Sequence, residues 1–374
     1  MQSSFYPKAF LLSLGFGLFA LPSINSQDLQ KEEGPSAQQL LTQEEVPESQ
    51  TVKEELEAPF TITGSADVYF RSNLNGDNII DDVNIAPQTS FANMPGFALG
   101  MFNAIGTYQS GKVGFTADLV FGPRGDEAVF GSTNDSGNPS NAAIINQLFI
   151  EWQVTDGIKF TLGNFNTFLG YEVISPAGNF NYSTSYMFSY GPFSHTGVKA
   201  DFAFNDEISV MVGLFNPTDL TEFNPTGKYI PGAQVGYEKD SGGLWLNFLF
   251  DPDYTQVDLT TGWDLTDDLY MGLNSTIATD LFYGAAIYAQ FALSEEFAIG
   301  LRGEYFKDNG IGIFANQSSV IDFTISGSYT VGNLKIIPEF RLDKLSDDEF
   351  IASEIPSGIQ SSLSSFVLAA VYSF

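Results

Sequence analysis

The chain has no cysteine and one histidine, His195, among its 374 residues. Without cysteine there is no disulfide framework, no thiolate metal site and no lipobox for a lipid anchor. Basic residues are scarce, 15 Lys and Arg against 45 Asp and Glu, which gives a formal net charge of −30 at pH 7. Such a charge opposes nucleic-acid binding, and the sequence offers neither a basic patch nor a glycine-rich phosphate motif between a strand and a helix.

Long apolar runs are missing beyond residue 60, so no segment there has the roughly 20 apolar residues that a membrane-spanning helix needs. One short apolar run, residues 9–20, follows Lys8 at the N-terminus. It is typical of a secretory signal peptide, and we expect residues 1–26 to be removed. Residues 27–58 are rich in Gln, Glu, Pro and Ser, which predicts an acidic, disordered periplasmic segment. A spacer without a partner and a docking segment both fit that composition.

From residue 60 onward the chain has a sequence period of two. In residues 60–71 apolar or small side chains occupy the even positions and mostly polar ones the odd positions. The alternation recurs in 113–121, 147–153, 321–331 and in the last segment, 364–374, which ends on Phe374. Such a period is typical of strands with one apolar and one polar face. A terminal aromatic residue on an alternating strand resembles the signal read by the outer-membrane assembly machinery of Gram-negative bacteria.

Short turns and long loops alternate along the same region. Seven turns rich in Gly, Asn and Asp lie at 109–112, 155–158, 205–208, 239–243, 266–269, 294–297 and 332–333. Eight longer connections lie at 72–95, 123–141, 165–194, 216–229, 251–256, 279–282, 307–319 and 346–360. The pattern predicts an all-β protein, a transmembrane antiparallel β-barrel of about 16 strands over residues 59–374, with short periplasmic turns and long extracellular loops. Because hydrocarbon offers no partner to a strand edge, the first strand must pair with the last.

Sixteen strands leave an aqueous lumen, and strand parity predicts which charged residues line it. The candidates are Asp67, Arg71, Asp118, Glu151, Lys159, Lys199, Asp201, Asp258, Asp264, Arg302, Glu304, Asp322, Lys335, Glu339, Arg341 and Asp343. Acids outnumber bases in this set. We therefore expect a mildly acidic lumen with a weak preference for cations, reduced by screening at physiological salt.

The connection at 165–194 carries a family resemblance. The segments 163–172, 181–186 and 192–198 resemble the central signature of the OmpL-like β-barrel porins, and residues 60–69 are similar to the opening strand of that family. Asn164 and Phe168 depart from its usual pattern, in which a basic residue and a proline often occupy these two places. The resemblance implies passive diffusion of small hydrophilic solutes across the outer membrane, contact with outer-membrane lipids, and a possible homotrimer.

The same connection is the third long loop, which in general porins folds inward. If it does so here, the candidate constriction residues are Tyr171, Glu172 and His195, with Glu172 facing basic wall groups such as Lys159, Lys199 or Arg302. In the alternative arrangement the loop caps the barrel from outside and Glu172 anchors the loop backbone. The sequence leaves both open.

Other functions fit parts of the same pattern. An outer-membrane adhesin or structural barrel with a blocked lumen and functional extracellular loops is the main alternative, and a soluble β-sandwich is another. An enzyme is not expected, because neighbouring residues on a strand point to opposite faces and Ser194 therefore cannot serve His195 as a nucleophile. No cofactor and no metal site is expected, since Asp-rich stretches such as 251–253 and 347–349 lack a fixed ligand spacing.

Overall fold

The computed structural model describes residues 60–132, 141–314, 317–347, 350–351 and 359–374. The expected signal peptide, residues 1–26, and the expected acidic segment, residues 27–58, lie outside the described residues. No helix in the part of the chain described is long and apolar enough to cross a membrane.

Sixteen antiparallel strands form one closed barrel, which confirms the predicted fold. In chain order they are β1 (Phe60–Asn73), β2 (Gly96–Ser110), β3 (Val113–Phe121), β4 (Ile145–Thr155), β5 (Ile158–Asn166), β6 (Ser194–Ala203), β7 (Ile208–Phe215), β8 (Ile230–Lys239), β9 (Gly242–Phe250), β10 (Thr255–Asp264), β11 (Leu269–Ala278), β12 (Phe282–Ala292), β13 (Phe297–Asp308), β14 (Ser319–Val331), β15 (Leu334–Leu345) and β16 (Ser362–Ser373).

The barrel closes where β1 pairs with β16. Ser65 to Asn73 lie opposite Ser373 to Ser365 in an unbroken antiparallel register. The last residue extends this seam, because Phe374 and Gly64 exchange backbone hydrogen bonds of 2.9 and 3.0 Å. The Phe374 ring covers Gly64, where an added Cβ would lie 2.7 Å from the ring, and it also stacks on Phe102 of β2. Closure satisfies every strand edge, as a hydrocarbon environment requires.

All seven predicted tight turns join consecutive strands at one end of the barrel, the turn end. The eight long connections lie at the opposite end, the loop end. Two of them contain short helices, α1 (Pro123–Ala128) and α2 (Tyr186–Tyr190). Two others contain two-residue hairpins, Ile79–Ile80 with Val83–Asn84 and Phe350–Ile351 with Ile359–Gln360.

The two faces of the wall differ as the period of two predicts. On β1, for example, Ser65, Asp67 and Arg71 are buried inside the barrel, whereas Ile62 and Val68 are exposed outside. Outward aromatic residues such as Tyr283, Tyr305 and Tyr372 also remain exposed, as expected for a band of rings at a membrane interface. The apolar outer surface and the polar inner surface therefore follow from strand parity alone.

Candidate functional site

The third loop, residues 167–193 between β5 and β6, lies inside the barrel. Near its start, Gly170 N donates to Asp258 Oδ1 on β10 at 2.9 Å. Farther along, Ser175 Oγ lies 3.2 Å from Ser65 Oγ on β1, and the Tyr182 hydroxyl donates to Asp67 on the same strand. The loop thus runs from β10 across to β1 before it returns through α2 to β6.

Two wall carboxylates hold the backbone of the third loop. Glu339 of β15 accepts hydrogen bonds from Tyr182 N at 2.7 Å and Ser183 N at 3.1 Å. Glu304 of β13 accepts from Tyr186 N at 2.8 Å and Met187 N at 2.7 Å. Each carboxylate binds two successive N–H groups, which have no partner within the loop. Because unpaired buried N–H groups are costly, these contacts fix both the position and the register of the loop.

Guanidinium groups bind the loop carbonyls in a complementary way. Arg302 of β13 donates to Ser183 O, and Arg341 of β15 donates to Thr184 O, each at 2.7 Å. Arg124 of α1 donates to Ile174 O and Tyr182 O, each at 3.1 Å, from the loop-end side. Side chains of the wall and of α1 therefore bind both the N–H groups and the carbonyl groups of the third-loop backbone.

Glu172 is the one charged residue of the third loop, and it forms a buried ion pair with Arg302 at 2.7 Å. This ion pair belongs to a larger network on the wall. Arg302 also contacts Asp322 at 2.7 Å, and Arg341 contacts Asp322 and Asp343 at 3.1 and 2.7 Å. Glu172 further accepts hydrogen bonds from the Ser185 backbone N and hydroxyl. The side chains of this network are 0 to 4% exposed, so water screens them little.

Inward-facing glycines of the wall make room for apolar side chains of the loop. A Cβ on Gly300 would lie 1.5 Å from the Phe180 ring, and a Cβ on Gly272 would lie 2.4 Å from the Tyr171 ring. Gly284 is covered by Met187 in the same manner, with a distance of 2.9 Å. Any larger residue at these positions overlaps the loop in its present place. Together the glycines form a flat surface onto which the loop packs.

Tyrosines of the third loop add both packing and hydrogen bonds. Tyr171 stacks on Tyr288 of β12 with ring centroids 4.0 Å apart, and its hydroxyl donates to the Tyr270 hydroxyl at 3.2 Å. Burial raises the pKa of Tyr171, Tyr182 and Tyr186 above the ordinary range of a phenol. These phenols therefore stay protonated at physiological pH, and the Tyr182 hydroxyl remains a donor to Asp67.

The three candidate constriction residues occupy different surroundings. Tyr171 and Glu172 lie on the part of the loop that faces β11 to β13, and of the three bases considered for Glu172 the structure selects Arg302. His195 is the second residue of β6, where its Nε2 lies 2.9 Å from Thr167 Oγ1 and its ring packs between Phe168 and Phe215. The His195 ring is fully buried, which leaves it no surface on an open lumen.

The candidate lining residues all follow the inward parity, and six of the 16 bind the third loop directly. Asp67, Glu304 and Glu339 bind the loop, as do Asp258, Arg302 and Arg341. Arg71 donates to Ile85 O and Asn93 O of the first long loop, and Asp118 accepts from Asn103 and Asn146. Asp264 is exposed at the turn end and Lys335 is half-buried. Glu151, Lys159, Lys199 and Asp201 form two ion pairs away from the loop anchors.

Sequence reasoning did not find the glycine surface, Arg124 or the anchoring role of Tyr182. Glycines at inward positions of alternating strands are a usable signal, because Gly272, Gly284 and Gly300 interrupt a face that is otherwise polar or aromatic. No spacing in the sequence pairs them with loop residues more than 80 positions away. Among the residues described, no three His, Cys, Asp or Glu side chains gather as metal ligands.

A closed barrel of 16 strands with a long loop bound inside it is the architecture of the porin class of outer-membrane proteins. Within that class the chain belongs to the family described as "Putative beta-barrel porin-2, OmpL-like", whose sequence profile matches residues 59–374. No curated protein matches the chain.

Solved structures with the same fold share little sequence with this chain. Salmonella typhi OmpF, in a complex with daunomycin, superposes with a TM-score of 0.57 and 12% identity over 84% of this chain and 97% of OmpF. A loop-deletion mutant of OmpT, an outer-membrane protein of Vibrio cholerae, gives 0.53 and 11% identity over 84% and 99% of the two chains. Pseudomonas putida OprB at low pH gives 0.52 and 9% identity over 84% and 93%. At these identities the likeness supports the fold alone.

Proposed function

We propose that this protein is a porin of the outer membrane of a Gram-negative bacterium, through which small hydrophilic solutes diffuse passively past a constriction formed by the third loop. The observation that carries the proposal is the loop itself, which is bound inside a closed barrel by wall carboxylates and guanidiniums. Such a loop reduces the cross-section of the lumen while leaving the barrel intact. In this proposal the candidate constriction residues Tyr171 and Glu172 fix the loop to β11, β12 and β13, which holds the constriction in place.

A weak cation preference is part of the proposal. Acidic residues predominate at the turn end, which we assign to the periplasm. The exposed acids in the turns are Asp156, Asp206, Glu207, Asp240, Asp267, Asp268, Glu295 and Glu296, against the bases Lys112 and Lys239. A ring of like charge at a mouth raises the local concentration of counter-ions, and salt screening limits the effect to a modest one.

A blocked barrel is the second candidate, and one observation favours it. Tyr182, Thr184 and Tyr186 of the third loop are 0% exposed, so the loop leaves no gap against β13 to β15 and β1. If the remaining lumen is also too narrow for solutes, the long loops at the outer face would carry the function, as in an adhesin or a structural barrel.

Planar-bilayer recording distinguishes the two candidates. For a porin we expect discrete conductance steps from the purified protein and, under a KCl gradient, a reversal potential of the sign that indicates cation preference. The preference should fall as the salt concentration rises. Membranes that stay silent at every voltage would support the blocked barrel and contradict the porin, whereas steps with an anion-selective reversal potential would refute only the proposed charge preference.

Several remaining features belong to the same proposal. Residues 1–26 act as a signal peptide, residues 27–58 form an acidic periplasmic segment, and the strand ending in Phe374 is presented to the outer-membrane assembly machinery. The apolar outer face contacts lipid and is broad enough to allow a homotrimer. We assign no catalytic role, because His195 bonds Thr167 and is enclosed by aromatic rings.

A further inference from the structure

Charged side chains on the inner face of β4, β5 and β6 have an access to solvent that the network anchoring the third loop lacks. In the ion pair of Glu151 with Lys159, the side chains are 27 and 14% exposed, and in the pair of Lys199 with Asp201 they are 14 and 11% exposed. The charged network that holds the third loop is at most 4% exposed. Water therefore reaches the inner wall of β4 to β6 near the turn end, whereas it is almost excluded from the network that anchors the loop.

Charges of alternating sign lie next to each other on this wall. Lys159 is directly opposite Asp201 across the β5–β6 pair, and Thr161 is opposite both Glu151 on β4 and Lys199 on β6. All five side chains face inward. They form a compact cluster, the β4–β6 cluster, which carries two positive and two negative charges.

Two contacts in the β4–β6 cluster are incomplete. Lys199 Nζ lies 3.4 Å from both carboxylate oxygens of Asp201, at the long end of the range for a hydrogen bond. The Thr161 hydroxyl is buried and has no hydrogen-bond partner in the described part of the chain. Buried polar groups normally have partners, so a loose ion pair beside an unpartnered hydroxyl points to a ligand that supplies them.

We propose that the β4–β6 cluster is a binding site for small zwitterions of the amino-acid class. The solute carboxylate accepts hydrogen bonds from Lys199 and the Thr161 hydroxyl, and the solute ammonium group donates to Asp201 or Glu151. Lysine and carboxylate side chains bind groups of opposite charge through strong, charge-assisted hydrogen bonds. A zwitterion satisfies both signs at once, whereas a neutral solute of the same size satisfies neither. This inference rests on the proposed porin function and narrows its substrate class.

The experiment compares two solutes with the same molecular formula, alanine, a zwitterion, and lactamide, which is uncharged. Swelling of liposomes that contain the full-length protein reports the entry of each solute. We expect alanine to enter wild-type liposomes about threefold faster than lactamide, because weak binding in a pore raises the flux of a dilute solute. The double variant Lys199→Gln with Asp201→Asn removes one charge of each sign and leaves the net charge unchanged. In it the ratio of alanine entry to lactamide entry should fall to near one, while lactamide entry itself is unchanged.

A matched control neutralises one lysine and one acid elsewhere on the inward face, Lys335→Gln with Glu238→Gln, and should keep the alanine advantage. Equal entry of alanine and lactamide into wild-type liposomes would overturn the inference, and this comparison requires no variant to fold. Loss of the advantage in the control variant as well would also overturn it. Failure of lactamide itself to enter above the rate of protein-free liposomes would instead refute the porin function.

Discussion

Valine in place of Gly300 is expected to raise the single-channel conductance several-fold. A Cβ at this position would lie 1.5 Å from the Phe180 ring, so valine cannot coexist with the third loop in its present place. The wall strand is hydrogen-bonded along its length to both neighbouring strands, whereas the loop is held by separate side-chain contacts. We therefore expect the loop to move, which widens the lumen. Planar-bilayer recording of Gly300→Val and wild type measures the change.

Gly303 provides the matched control for this prediction. It lies on the same strand and faces outward, and no atom of the residues described lies within 4 Å of an added Cβ. Gly303→Val should therefore conduct like wild type. A variant that lacks residues 171–190 sets the upper limit of conductance, and Gly300→Val should lie between wild type and this deletion. Conductance unchanged in both the deletion and Gly300→Val would show that the third loop does not constrict the lumen.

Replacement of Arg302 by methionine is expected to destabilise the folded barrel by about 3–5 kcal/mol, the cost of leaving a buried charge without its partner. Arg302 pairs with Glu172 and Asp322 and donates to Ser183 O. After the substitution two buried carboxylates lose a partner, and the loop loses an anchor. Equilibrium unfolding by guanidinium, followed through the fluorescence of the three tryptophans, measures the free energy of unfolding.

Glu172→Gln is the graded counterpart of that variant. It removes the charge from the loop but leaves Arg302 paired with Asp322, so its cost should be clearly smaller than that of Arg302→Met. If both variants unfold at the wild-type guanidinium concentration, the network does not hold the loop and the stabilising role assigned to it is wrong.

The sequence predicts the barrel well because its determinants are local. Strand parity depends on neighbouring residues, and hairpin turns depend on Gly, Asn and Asp at the turn itself. The segment 60–71 is one example, since its predicted inward residues Asp67 and Arg71 are buried in the structure. Counting turns and loops was then enough to obtain 16 strands.

The site was less predictable because its contacts are distant in the chain. Parity places Glu304 and Glu339 on the inner face, but it does not show that each carboxylate binds two backbone N–H groups of the third loop. Counting inward acids and bases also treats all of them as facing water. In the structure six of the 16 bind the third loop directly, and the balanced charges of the β4–β6 cluster are more accessible than those six.

The most direct test of the central claim, that the third loop lies within the lumen, is a cross-link between loop and wall. Ser65 Oγ and Ser175 Oγ are 3.2 Å apart, and the chain has no native cysteine. Cysteine at both positions brings two thiols close to the separation that a disulfide requires. Ala66→Cys with Ser175→Cys is the control, because residue 66 faces outward. We predict oxidative cross-linking in the first pair alone, measured by mass spectrometry of the protein folded in membranes. Absence of the Ser65–Ser175 cross-link, or equal cross-linking in the control, would contradict an inward loop.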